Sequence, residues 1–112
     1  MGETTMLDEL ICKTHPEHVF FEMDVYWAVM AGVSPVEYMK KYPGRFELLH
    51  IKDQYEIGQS GMVGFEPIFR SMNGAGTKAF VVELEYASTP NILQGLRESA
   101  LYLRHAPYTT KK

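Results

Sequence analysis

Cysteine is nearly missing from this chain. Cys12 stands alone, which excludes an internal disulfide and any zinc site built on several cysteines, and leaves the redox compartment open. Positive charge is also scarce: 11 Lys and Arg face 14 Asp and Glu, a net charge of −3. Binding a phosphate backbone needs a concentrated basic face, so no nucleic-acid partner is expected. The closing Lys111-Lys112 reads as a solvated tail. No apolar run approaches the ~20 residues of a membrane span, so no membrane partner is expected. The opening Met1-Gly-Glu-Thr-Thr lacks the charged and apolar regions of a secretory leader, which favours the cytoplasm.

What remains is ordinary globular material. Hydrophobic residues make up 46% of 112 positions, enough to exclude disorder and to fill one domain over residues 1–112. Met6 to Lys13 reads as the end of a helix, with Met6, Leu7, Leu10 and Ile11 on one face, and Pro16 stops it. Three short apolar runs follow, Val19–Met23, Phe46–Ile51 and Ala79–Glu83, each with a helical stretch behind it. Tyr26–Ala31 is helical up to Gly32. Ser34-Pro35-Val36-Glu37 opens a second helix that runs to about Lys41, with a capping Ser, a Pro in the first turn and a Glu at the capping-box position. Lys52 to Gly64 is a long loop. Phe65–Met72 is helical and is ended by Asn73-Gly74-Ala75-Gly76. Thr89-Pro90 opens a last helix to about Arg104, with Ile92, Leu93, Leu96, Ala100 and Leu103 as its buried stripe.

The order is α followed by three βα units. Asp24 to His50 spans 26 residues and His50 to Glu83 spans 33, both suited to a βα repeat with right-handed crossovers and parallel strands. Glu22 interrupts an apolar run and should face a barrel interior, a helix layer or a partner. Three parallel strands do not cover both faces of their own sheet, so the expected architecture is part of a larger α/β object.

The apolar runs end on Asp24, His50 and Glu83. The carboxyl ends of parallel strands are where α/β folds do chemistry. Two carboxylates and one imidazole suit Mn, Mg, Co or Zn as divalent ions. Taken singly, an Asp at a strand end caps a helix, and a His is a hydrogen-bonded structural group. His15, His18 and His105 share no metal-like spacing and read as surface or capping residues. The seven methionines read as core filler.

In one register the chain carries Phe21-Glu22-Met23-Asp24-Val25-Tyr26-Trp27, Ala31-Gly32-Val33-Ser34-Pro35, Lys41-Tyr42-Pro43-Gly44-Arg45-Phe46, Leu49-His50-Ile51-Lys52-Asp53, Ile57-Gly58-Gln59-Ser60-Gly61 and Val81-Val82-Glu83. From about Thr14 to Tyr102 this resembles the C-terminal portion of the sugar phosphate isomerase/epimerase family, with its xylose isomerase-like TIM barrel. The resemblance implies a partial (β/α)8 barrel of about three C-terminal units, holding strands six to eight, completed by oligomerisation. It implies Asp24, His50 and Glu83 as three of four metal ligands, with Glu83 also the catalytic acid or base. The family's upstream His-Asn-His and Glu segments, which would add a ligand and part of the sugar pocket, have no counterpart in these 112 residues.

Around that trio, Lys52, Trp27 and Glu85 are candidate substrate-binding residues, and Asp53 is a candidate for orienting a ligand from behind. Lys52 and Asp53 read equally as a salt-bridged loop start. Trp27 departs from branches of the family that place a His nearby; it can stack on a sugar but cannot ligate a metal, and packing under the helix is the alternative. Arg45 reads as an anion-binding group or a helix cap. The implied reaction is proton removal beside a carbonyl of a small sugar or keto-sugar and its return through an enediolate, assisted by the metal. As a lone chain it is expected to be inactive and to form a homo-oligomer through its open strand edges. The rival expectation is a non-catalytic remnant serving as an oligomeric or sugar-binding module. A phosphodiesterase fits poorly with the low basic charge, and a lyase acting on a keto-sugar or cyclitol shares the same chemistry. Nothing in the motifs shows that the substrate carries phosphate.

Overall fold

The computed structural model describes residues 4–109; the Lys111-Lys112 tail and the opening Met1, Gly2 and Glu3 lie outside them. The elements are α1 (Met6–Lys13), β1 (Glu22–Asp24), α2 (Val25–Met30), α3 (Pro35–Lys41), β2 (Leu48–Ile51), α4 (Phe65–Ala75), β3 (Ala79–Val82) and α5 (Ile92–His105). The strands form one sheet in the order β1-β2-β3, both pairings parallel. The expected order and direction are therefore present. No helix among the described residues is long and apolar enough to cross a membrane.

The strands are shorter than the apolar runs that announce them. Val19 and Phe20 are apolar but precede β1, and Phe20 is exposed. The ladder begins where Phe21 N–H donates to the Arg45 carbonyl at 2.7 Å, and it continues past β3, where Glu83 N–H donates to the Ile51 carbonyl at 3.0 Å. Hydrophobicity marks which segment pairs; hydrogen-bond geometry sets where pairing starts.

Register sorts the side chains. Met23 pairs with Leu49, and Leu49 with Phe80, on the face packed by helices. There Met23, Leu49, Ile51, Met39, Phe65 and Ile68 form a buried core. Burying each such side chain fully contributes roughly 1.5–3 kcal/mol. The opposite face carries Glu22 beside Leu48 and Asp24 beside His50, with Ala79 and Val81 on the far strand. Glu22, Ala79 and Val81 are exposed, so Glu22 points to the uncovered side of the sheet. In a complete barrel that side is interior.

Two helices differ from their sequence pattern. α1 is a whole helix with its own start: Thr5 and Asp8 form a reciprocal capping box. Met6 and Leu10, assigned to its apolar face, are exposed, while Asp8 is buried. The Asp8 carboxylate accepts from Tyr42 (2.5 Å), Tyr38 (2.9 Å) and Lys41 (3.1 Å) across to α3. The Tyr42 hydroxyl above all holds the Asp8 carboxyl far below the ordinary carboxylate range, and the bond to Asp8 pushes Tyr42 up to about 12.

In α5 the stripe Ile92, Leu93, Leu96 and Ala100 is exposed, and only Leu103 of that set is buried. The buried row is Gly95, Ser99 and Leu103, four residues apart, and its small residues let the helix lie close. Ser99 Oγ accepts from Ile57 N–H at 3.0 Å. A Cβ on Gly95 would meet Leu84 at 2.8 Å and Glu56 Oε1 at 2.9 Å. Hydrophobicity marked the wrong stripe because close approach, not apolar area, sets this contact.

Candidate functional site

Asp24 closes β1 and at the same time caps α2. Its Oδ1 accepts from Trp27 N–H at 3.0 Å, which fixes the carboxylate, and its Oδ2 lies 3.3 Å from His50 Nδ1. The capping role and the site role are thus held by one side chain. His50, the third residue of β2, presents Nε2 to Glu83 Oε2 at 3.3 Å. All three side chains are partly buried and offer ligand atoms within 4.8 Å of one another. A neutral imidazole has one N–H, so only one of its two carboxylate contacts is a hydrogen bond in that form.

The donor set fits a divalent cation. Ligand atoms held ~2.1 Å from one ion lie about 3 Å apart when adjacent and about 4.2 Å apart when opposite. His50 turns a different nitrogen to each carboxylate, of which an ion would take one, and one donor atom from each residue lies within 4.8 Å of the others. Two carboxylates and one imidazole are the donors that Mn, Mg, Co and Zn accept. Asp24, His50 and Glu83 are the residues able to hold such an ion.

Lys52 is almost fully buried. Its Nζ lies 3.0 Å from Glu85 Oε2 and sits over the rings of Tyr26 at 5.3 Å and Trp27 at 6.0 Å. Trp27 is 53% exposed and meets Tyr26 edge-on; it does not pack under a helix. Trp27, Lys52, Tyr55, Glu85 and Tyr86 line an open groove of about 550 Å³. The three substrate candidates are therefore neighbours.

Asp53 is buried. It accepts from Gln54 N–H at 2.7 Å, from Gly58 N–H at 3.0 Å and from the Ser60 hydroxyl. Its hydrogen bonds organise the loop that follows β2. Arg45 is the cap of its two readings: its guanidinium donates to the Ile11 carbonyl at 2.8 Å and to Thr14 Oγ1 at 2.7 Å, at the end of α1.

Sequence reasoning missed Glu56. Its buried carboxylate accepts from Ser88 Oγ (2.6 Å) and Ser88 N–H (2.9 Å), which ties the loop after β2 to the one after β3. The Ser88 hydroxyl holds it below the ordinary carboxylate range. No local pattern marks a bond between residues this distant in sequence. A second group, His15, Glu17 and His18, also brings ligand atoms together, but all three residues are exposed and precede β1. Its members sit two and three positions apart on one turn, a closeness that spacing alone did not reveal. His15 Nδ1 already accepts from Glu17 N–H at 3.2 Å.

A parallel α/β sheet with an Asp-His-Glu cluster at its carboxyl rim defines a class: part of a (β/α)8 barrel. Two solved structures carry the comparison further. Both are of proteins named sugar phosphate isomerase/epimerase from Parabacteroides distasonis ATCC 8503. One is 44% identical with a TM-score of 0.89 over 98% of this chain; the other is 45% identical with a TM-score of 0.88 over 94%. The chain spans 39% and 38% of their lengths, consistent with a C-terminal portion, as the motifs suggested. The chain is thus similar to a portion of a sugar phosphate isomerase/epimerase barrel. No protein-family model matches the chain, and no curated protein does.

Proposed function

We propose that the chain supplies the metal-binding rim of a sugar isomerase or epimerase that moves a proton next to a carbonyl. The observation that carries this reading is the meeting of Asp24, His50 and Glu83 at one end of three parallel strands. A divalent cation bound there supplies Lewis acidity toward two neighbouring oxygens of a hydroxy-ketone. Asp24 is pre-set for holding it by the α2 cap. Glu83 is the most exposed carboxylate of the trio, free to take a proton from the carbon beside the carbonyl and return it to the neighbouring carbon or the other face. Lys52 and Glu85 orient hydroxyls beside it.

The chain spans about two fifths of the solved relatives, and its open sheet face needs cover. We propose that turnover requires the rest of a barrel around that face, and that the chain by itself associates with copies of itself. The second reading, a non-catalytic sugar-binding or oligomeric module, draws support from the same short coverage.

The test is solvent deuterium incorporation beside the carbonyl of a panel of keto-sugars, with Mn²⁺, read by NMR. Metal-dependent exchange that Glu83→Gln abolishes supports the enzyme. Metal binding without exchange, in a self-associated form that covers the open sheet face, favours the module.

A further inference from the structure

We propose that the groove formed by Trp27, Lys52, Tyr55, Glu85 and Tyr86 takes an uncharged polyhydroxyl end of the sugar and disfavours a phosphate ester there. This rests on reading Asp24, His50 and Glu83 as the carbonyl-processing centre. The groove adjoins that centre by chain geometry. Trp27 follows Asp24 by three residues, Lys52 follows His50 by two and Glu85 follows Glu83 by two. Trp27 N–H donates to Asp24 Oδ1, and Lys52 and Glu85 lie just past the ends of β2 and β3 with the Lys52 ammonium joining Glu85 to Trp27. The groove therefore lies beside the cluster, where the remaining carbons of a chelated sugar would run.

Its chemistry suits hydroxyls and C–H faces. Trp27 and Tyr86 are exposed rings, surfaces on which sugar rings stack. Among the described residues lining the groove, Lys52 is the sole cation. It is buried, its ammonium is engaged by Glu85 at 3.0 Å, and it lies over two aromatic rings. Among these described residues a phosphate entering here would meet no unpaired positive group and would face the Glu85 carboxylate. Recognition of a phosphoryl group calls for the reverse, an unneutralised Arg or Lys or a cradle of backbone N–H groups. A sugar hydroxyl, by contrast, can accept from Lys52 and donate to Glu85 at once.

Trp27 is the only tryptophan, so intrinsic fluorescence reports on the groove directly. The protein, with Mg²⁺ present, is titrated with D-fructose and with D-fructose 6-phosphate, while calorimetry with Mn²⁺ follows the metal separately. The expected result is a Trp27 response to the free ketose, with the ester at least about fivefold weaker, as like-charge juxtaposition requires. Glu85→Gln frees the Lys52 charge and shifts the ester-to-ketose preference about tenfold toward the ester. Equal or tighter binding of the ester, an unchanged preference in Glu85→Gln, or no response to either sugar with metal binding intact overturns this inference alone. Loss of the metal result as well overturns the underlying reading of the cluster.

Discussion

The Asp24 carboxylate is shared between His50 Nδ1, at 3.3 Å, and the first turn of α2, where it accepts from Trp27 N–H at 3.0 Å. One side chain serves a local need of the helix and a distant need of the site. Substitution separates the two roles. Asparagine is as good a cap as aspartate but carries no charge, whereas alanine loses both roles. Asp24→Asn should keep the melting temperature and lose at least about tenfold in Mn²⁺ affinity. Asp24→Ala should lose the same affinity and in addition about 1 kcal/mol of stability. Calorimetry and thermal melts measure the two effects.

The Asp8 network makes stability depend on acid. Its folded carboxyl lies below the ordinary range because of the Tyr42 hydroxyl and the Thr5 backbone. A depressed carboxylate stabilises the fold above its unfolded value near 3.8, and that contribution is lost as pH falls through the lower folded value. Tyr42 acts in the opposite sense: its contribution is complete below its usual 10 and is lost as pH rises through about 12. Asp8→Asn should therefore melt earlier than the parent at neutral pH, and the gap should close in strong acid. A pH series of melting curves checks both signs.

Which parts of this were readable beforehand follows from how far each interaction reaches. Asp24, His50 and Glu83 were legible because each closes a short apolar run, and strand order follows from the βα spacing. Glu56 bonding to Ser88, and Asp8 bonding to Tyr38 and Tyr42, connect residues 30 or more positions apart. Such bonds leave no periodicity in sequence. The Thr5-x-x-Asp8 pattern was the one available sign that α1 begins there. The α5 stripe was misread because Gly95 and Ser99 make the contact through smallness, which a search for apolar residues passes over.

At α5 the packing itself can be tested. A Cβ at Gly95 has no room against Leu84 and Glu56, so Gly95→Ala should cost about 1–3 kcal/mol, the range for overpacking. Leu93 is 74% exposed on the same helix. Leu93→Glu should leave both the melting temperature and self-association through the open sheet face unchanged. Denaturant unfolding and light scattering measure these outcomes.

Glu56 bridges two loops that flank the groove. Glu56→Ala should release the Ser88 segment, raise proteolytic cleavage between residues 84 and 91, and leave Mn²⁺ affinity within about threefold, since Glu56 does not touch the cluster. Limited chymotrypsin digestion, which can cut after Leu84 and Tyr86, followed by mass spectrometry, reads the first effect, and calorimetry reads the second.

Paramagnetic broadening by Mn²⁺ in the NMR spectrum of the labelled protein tests the metal rim most directly, because the described residues offer two groupings of donor atoms. The account predicts that sub-stoichiometric Mn²⁺ erases signals around Asp24, His50 and Glu83 and spares His15 and His18, and that His50→Ala restores the erased signals. Broadening centred on His15, Glu17 and His18, or spread evenly along the chain, would contradict it.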